Sequence, residues 1–188
     1  MQGYFAALTL AVLLGMVWGR VLLLRRNGIK AVKFGAIDRK DFLIPPFALF
    51  YFYLVFAATL GLPTVSRQRF FSSGTGAWAG VALCGAGLLL LLLSLVSFGR
   101  SFRVGIDQQS PDKLVTTGVF ALSRNPIYVA FGLVLLGQFL VFPNWIFLVY
   151  LIAGIGLFHR QVLREEESLR RQYGQPYVAY CAQVRRYL

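Results

Sequence analysis

The chain has 188 residues, enough for one domain of ordinary size. It is 57% hydrophobic and only 14% charged, against about 45–50% and about 25% in soluble domains, and its mean hydropathy is +0.65. So few charges cannot cover so much apolar surface in water. This excludes a soluble domain, and equally a disordered, collagen-like or disulfide-scaffold chain; the composition is that of an all-α integral membrane protein. The 19 Lys and Arg against 7 Asp and Glu give a net charge of +12. These charges stand between long apolar runs, and no basic stripe carries interleaved stacking aromatics, so they point to membrane topology and not to nucleic acid. Cys84 lies mid-way along an apolar run and Cys181 in the polar tail, which makes Cys84 a small packing residue and a disulfide between them implausible.

Crossing the hydrocarbon takes about 20 predominantly apolar residues. Residues 3–24, 42–62 and 77–98 meet that length, and a fourth apolar stretch, 126–158, is interrupted by Pro143-Asn144. The interruption divides it into helices 126–142 and 145–158 joined by a tight turn. Each is short for a full span, which suits a tilted or partly inserted hairpin. The expectation is about five transmembrane helices, with a C-terminal helical hairpin and a cytosolic helical tail. Residues 158–173 continue the last span as a helix; Gly174 stops it, and Pro176 begins a second short helix. The chain is expected to form a single membrane domain, with a three-helix part (1–98) and a second part (99–188) that gathers the polar side chains.

Charge sets the orientation. With five spans, Arg67 and Arg69 fall on one side, while segments 25–41, 99–125 and 159–188 carry six, four and six basic residues on the other. Arg20 lies within snorkelling reach of that second side, which holds all the acidic residues as well. By the positive-inside rule it is cytosolic, with the N-terminus outside, in a bacterial inner membrane or an endoplasmic reticulum. Residues 1–24 lack a basic start, and their charge (Arg20, Arg25, Arg26) follows the apolar run, so they read as a first span and not as a cleaved signal peptide.

Candidate chemistry gathers in 99–125 and the tail. Arg124 and Tyr128 flank the N-terminus predicted at Pro126, where backbone N–H groups can receive an anion; a juxtamembrane anchor and an interfacial tyrosine are the commoner explanation of such residues. Glu165, Glu166 and Glu167 would ordinarily form a solvated face with nearby arginines. Yet Glu166 shares a helix face with Val162, Leu169 and Tyr173, where a carboxylate could bind an ammonium group or ribose hydroxyls. His159 has no partner at metal-ligand spacing, so no metal is expected. No phosphate-binding glycine loop or nucleophile triad stands out. Gln138, within an apolar helix, reads as a hydrogen bond to a neighbouring helix, and Gly80, Gly85 and Gly87 permit close helix packing.

Leu114-Val115-Thr116-Thr117-Gly118, Arg124-Asn125-Pro126-Ile127-Tyr128, Glu165-Glu166-x-x-Leu169, Tyr173-Gly174 and Tyr177-x-x-Tyr180 occur in order. Together they resemble the isoprenylcysteine carboxyl methyltransferase family of integral membrane enzymes, a group that includes phospholipid N-methyltransferases. The resemblance covers residues 113–188. Three departures stand out: Asn125 replaces the usual His, Ala130 replaces a Gly, and Gln161 stands where Arg is common.

The resemblance implies an S-adenosyl-L-methionine-dependent methyltransferase acting at the membrane–cytosol interface. Its acceptor would be a small lipophilic or lipid-linked molecule, with a prenylcysteine-type carboxylate as one candidate, reached laterally among membrane lipids. On this reading Arg124 holds the cofactor's carboxylate, and Glu166 with Glu165 takes its ammonium or ribose. Asn125, Pro126 and Tyr128 line the methionine portion, and Arg124, Asn125 and Tyr128 stand nearest the chemistry. Leu114, Val115, Thr116 and Gly118 supply backbone contacts around adenosine, and Tyr173 and Tyr177 close the pocket. Two other readings stay open: an NADPH-dependent enzyme resembling membrane sterol reductases, and a non-catalytic membrane subunit.

Overall fold

The structure, a computed structural model, describes residues 1–26, 44–62, 69–98 and 114–188. Much of the charge behind the orientation argument, including Lys30, Lys33, Arg67, Arg100 and Lys113, lies outside the described residues. Among the described residues the regular structure is helical: α1 (Gln2–Arg26), α2 (Ile44–Leu60), α3 (Gly74–Phe98), a 3-10 turn (Gly118–Ala121), α4 (Pro126–Val141), α5 (Trp145–Tyr173) and α6 (Gln175–Gln183). All five predicted apolar helices form. Three are long and apolar enough to cross a membrane: α1, α3 and α5. The apolar parts of α2 and α4 are shorter; the 16 residues of α4 rise about 24 Å, less than the roughly 30 Å hydrocarbon. The protein is an all-α integral membrane protein.

Local chemistry sets the helix ends. Pro126 occupies the first turn of α4, where its missing N–H costs nothing. Asn144 caps α5, its side chain accepting from the backbone N–H of Ile146 and Phe147 at 3.0 and 3.1 Å. At the other end of α5, Gly174 takes φ +58°, a value open to glycine, and turns the chain into α6. At 29 residues α5 rises about 44 Å, so it crosses the apolar layer and still carries its charged last third beyond it.

The tightest contact in the bundle is between α3 and α4. A Cβ on Gly80 would lie 2.5 Å from the carbonyl oxygen of Gly137, and one on Gly87 2.8 Å from that of Ala130. A Cβ on Gly137 would meet both the Gly80 carbonyl and Cys84 Sγ. Small residues therefore let the two backbones touch, as van der Waals packing between membrane helices requires. Gly85 takes no part, having nothing within 4 Å of a built Cβ. Cys84 is buried in this seam and, like Cys181, is free.

Two apolar clusters hold the other helices. In one, Ala6 and Leu10 of α1 meet Tyr51, Leu54 and Val55 of α2, and Phe142, Phe147 and Tyr150 beside and within α5. In the other, Val21 packs with Leu91, Leu95 and Ala130, with Met16 and Ile127 against them. Gln138 is fully buried, and its Nε2 donates to the Ala6 carbonyl at 2.8 Å, tying α4 to α1. Leu89, Leu92, Val96, Val149, Ile152 and Ile155 are exposed, an apolar exterior suited to lipid. Replacing Gly137 with Ala drives a methyl group into backbone atoms of α3, and should lower stability by about 1–3 kcal/mol. Gly85→Ala should be neutral; thermal unfolding of both variants in detergent checks the contrast.

Candidate functional site

The start of α4, the outer third of α5 and the chain after α6 converge on one carboxylate. Glu166 Oε1 receives Arg124 Nη2 and Asn125 Nδ2, each at 3.2 Å. Its Oε2 receives Arg186 Nη2 and Nε, each at 3.0 Å. The Arg124 and Glu166 side chains are 11% and 12% exposed, while Arg186 is 38% exposed. Charge-assisted bonds in so sheltered a place are worth more than surface pairs. Arg124 Nε is buried without a hydrogen-bond partner among the described residues, and its Nη1 reaches only the Cys181 carbonyl, at 3.5 Å.

Glu165 sits beside this cluster in different company. Its Oε1 accepts from the Tyr128 hydroxyl at 2.6 Å and from Gln161 Nε2 at 3.3 Å, both neutral donors. Tyr128, Phe131 of α4 and Phe158 of α5 form an aromatic group, with ring centroids 5.6–6.5 Å apart. The polar pair Tyr128–Glu165 thus meets the apolar layer directly. Glu167 is unlike both its neighbours: it pairs with Arg171 one turn on, and both side chains are well exposed.

The chain after α6 ties the site shut on one side. Arg124 N–H donates to the Arg185 carbonyl at 3.0 Å. The Arg186 carbonyl accepts from Asn125 Nδ2 at 3.1 Å and Ser123 Oγ at 3.4 Å. Tyr187 and His159 are hydrogen-bonded at 2.8 Å. Within α6, Tyr177 is buried, and the Tyr180 hydroxyl donates to the Phe120 carbonyl at 2.5 Å. Burial raises the Tyr177 phenol, nearby Glu166 adds to the rise and Arg124 opposes it. Burial likewise pushes Tyr180 up to about 12, against the pull of Arg124. Both phenols therefore stay neutral across the physiological range.

Of the residues picked out in the sequence, Arg124, Asn125, Tyr128, Glu165 and Glu166 come together, with Pro126 buried behind them and Tyr177 beside Glu166. Tyr173 is half-buried at the end of α5. Leu114, Val115 and Thr116 run as irregular chain into the 3-10 turn that Gly118 opens. Gly118 has φ +65° and lies against the Ser97 side chain of α3, so its backbone conformation already favours a glycine there. Phe120, two residues on, packs its ring on Phe98 at 4.5 Å. Sequence reasoning missed Arg186: in the run Val184-Arg185-Arg186-Tyr187 it reads as one more interfacial cation. It also missed the Tyr187–His159 bond, which no periodicity signals.

The sequence profile of the phospholipid methyltransferase family matches residues 75–176, just over half of the chain and most of the helices that build this site. The chain belongs to that family. It is 28% identical over 108 residues to protein-S-isoprenylcysteine O-methyltransferase B of Arabidopsis thaliana, covering 56% of this chain and 55% of that protein. It is 30% identical over 108 residues to the protein-S-isoprenylcysteine O-methyltransferase of Tribolium castaneum, covering 56% and 38%. A probable protein-S-isoprenylcysteine O-methyltransferase of Oryza sativa subsp. indica is 28% identical over 110 residues, covering 57% and 58%. The aligned part is thus between about two-fifths and three-fifths of these relatives' lengths.

Glu166→Gln removes the one carboxylate that both guanidinium groups share. The sheltered Arg124 and the more open Arg186 then lose their counter-charge, and stability should fall by about 1–2 kcal/mol, nearly all of it from Arg124. Glu167→Gln, at an exposed pair, should change it by less than about 0.5 kcal/mol. Paired thermal melts in detergent measure the difference.

Proposed function

We propose that the chain is an S-adenosyl-L-methionine-dependent methyltransferase that modifies a small lipophilic or lipid-linked acceptor at the membrane surface. The observation that carries this reading is the Arg124–Glu166 pair, with Asn125 and Tyr128–Glu165 beside it. Membership of a methyltransferase family and the names of the relatives agree with it. The site suits an amino-acid end group: cationic N–H donors, one of them a buried Arg124 Nε without a partner, stand next to carboxylates. The binding set proposed is Arg124, Asn125, Pro126, Tyr128, Glu165, Glu166, Tyr173 and Tyr177, with Leu114, Val115, Thr116 and Gly118 toward the adenosine.

When bound, the cofactor supplies an electrophilic methyl group on a sulfonium. Arg124 holds its carboxylate, and the acidic pair on α5 takes the ammonium or the ribose hydroxyls. These residues contribute by alignment, since an in-line displacement depends on orientation above all. A carboxylate or thiolate acceptor needs no general base, which agrees with Asn125, an amide that cannot take a proton near neutral pH. The acceptor reaches the site laterally past Tyr128, Phe131 and Phe158, and the names of the relatives make a prenylcysteine carboxylate the first candidate. The site end of the bundle is proposed to be cytosolic and the N-terminus outside, with residues 1–98 as the frame and 99–188 as the cofactor-binding part.

Calorimetric titration of S-adenosylhomocysteine into detergent-purified protein tests the reading. Micromolar binding is expected, with no binding of NADPH. Arg124→Ala and Glu166→Ala should each weaken the interaction at least tenfold, or about 1.4 kcal/mol. Binding of NADPH alone would replace this reading with a reductase, and unaltered binding in both variants would sink the site assignment.

A further inference from the structure

Residues 184–188 lie beyond the family match, which ends at 176, and yet supply half of the contacts to Glu166. They cross the start of α4 as a strap. The carbonyls of Arg185 and Arg186 accept from Arg124, Asn125 and Ser123, and Tyr187 is bonded to His159 on α5. The backbone of Arg186 is therefore held in place, while its side chain is more open than that of Arg124, 38% against 11% exposed.

The chemistry of the cluster decides what it can take. Glu166 already receives four N–H contacts, two on each oxygen, which is about the full capacity of a carboxylate. A ligand ammonium arriving there would have to expel one of them. The guanidinium groups, by contrast, have N–H donors to spare: Arg124 keeps its unpartnered Nε, and only Nε and Nη2 of Arg186 are engaged with Glu166. Two cations around one anion leave a positive charge. A ligand carboxylate would balance that charge and can meet the N–H groups that Glu166 does not use, on the outer edge of Arg186 and on Arg124.

We propose that Arg186 and Arg124 form a two-guanidinium clamp for the carboxylate of the ligand's amino-acid end, with Glu166 as the brace that holds both. The proposal rests on the S-adenosylmethionine reading above and refines it. Glu166 positions the arginines, and the ammonium falls to Glu165, whose partners Tyr128 and Gln161 are neutral. Zwitterion and site then match charge for charge. The buried arginine is the fixed jaw, and the more exposed one, on the strap, is the jaw that adjusts.

The test compares S-adenosylhomocysteine with its decarboxylated analogue, which keeps adenosine and ammonium, by calorimetry on the full chain in detergent. Arg186→Ala should weaken S-adenosylhomocysteine about tenfold and leave the analogue within about twofold; Arg186→Lys, which keeps the charge without the fork, should recover part of the loss. Retained binding of the analogue shows that the variant is folded. Unchanged or tighter binding of S-adenosylhomocysteine by Arg186→Ala would overturn the clamp, making Arg186 a mere counter-ion of Glu166. Equal losses for both ligands would overturn it too, making the strap only structural. In either case the cofactor reading stands, whereas a wild-type protein that binds neither ligand would overturn both.

Discussion

Sheltering a carboxylate where a helix has just left an apolar layer is costly unless cations come to it. Glu166 draws one from each side, Arg124 from the start of α4 and Arg186 from the chain beyond α6. Much of the local architecture follows from that demand. The helix α5 must run unbroken past the bilayer to carry Glu166 outward. Gly174 must then reverse the chain, and α6 must return far enough for residues 184–188 to reach α4. A sheltered ion pair costs desolvation on both partners, so the backbone carbonyls of the strap and the Asn125 amide matter. They hold the arginines at hydrogen-bonding distance, where attraction offsets that cost.

Arg124 can meet Glu166 only if α4 is held at a definite depth, and this is the work of the frame. Close approach at Gly80, Gly87 and Gly137 locks α4 to α3 along its length. The Gln138 bond to the Ala6 carbonyl adds a polar tie to α1 inside an apolar environment, where few competing partners exist. The aromatic set of Tyr51, Phe147 and Tyr150 anchors α5 against α2. The short helix α4 thus has neighbours that fix both its ends: α3 and the 3-10 turn at the site end, and Asn144 with α5 at the other.

What was legible in the sequence was whatever a local signal encodes. Apolar length gave the five helices, and Pro126, the Pro143-Asn144 interruption and Gly174 marked their ends through backbone rules that hold regardless of the fold. The Gly80–Gly87 stripe packs on α4 because a seven-residue spacing keeps one helix face; Gly85 lies off that face and has nothing of this chain within 4 Å of a built Cβ. The site residues themselves were visible only as a family-like pattern. Their pairing was hidden, since Arg124 and Glu166 are brought together by the angle between α4 and α5, to which no spacing refers. Arg186 was hidden more deeply. Its chemistry is that of any interfacial arginine, and only the return of α6 gives it a partner.

The two neighbouring carboxylates show how one helix separates roles. Consecutive residues of an α-helix point about 100° apart, so Glu165 faces Tyr128 and Gln161 while Glu166 faces the guanidinium groups. One carboxylate meets neutral donors and the other meets cations, and nothing but helical geometry is needed to divide them. Asn125 fits the same logic. Its Nδ2 donates both to Glu166 Oε1 and to the Arg186 carbonyl, a double role that one amide nitrogen fills without charge. A neutral histidine has a single N–H, and an imidazolium would add a third positive charge that comes and goes near neutral pH. With asparagine at this position, the polar linker of the Arg124–Glu166–Arg186 cluster is an amide with no proton to gain or lose near neutrality.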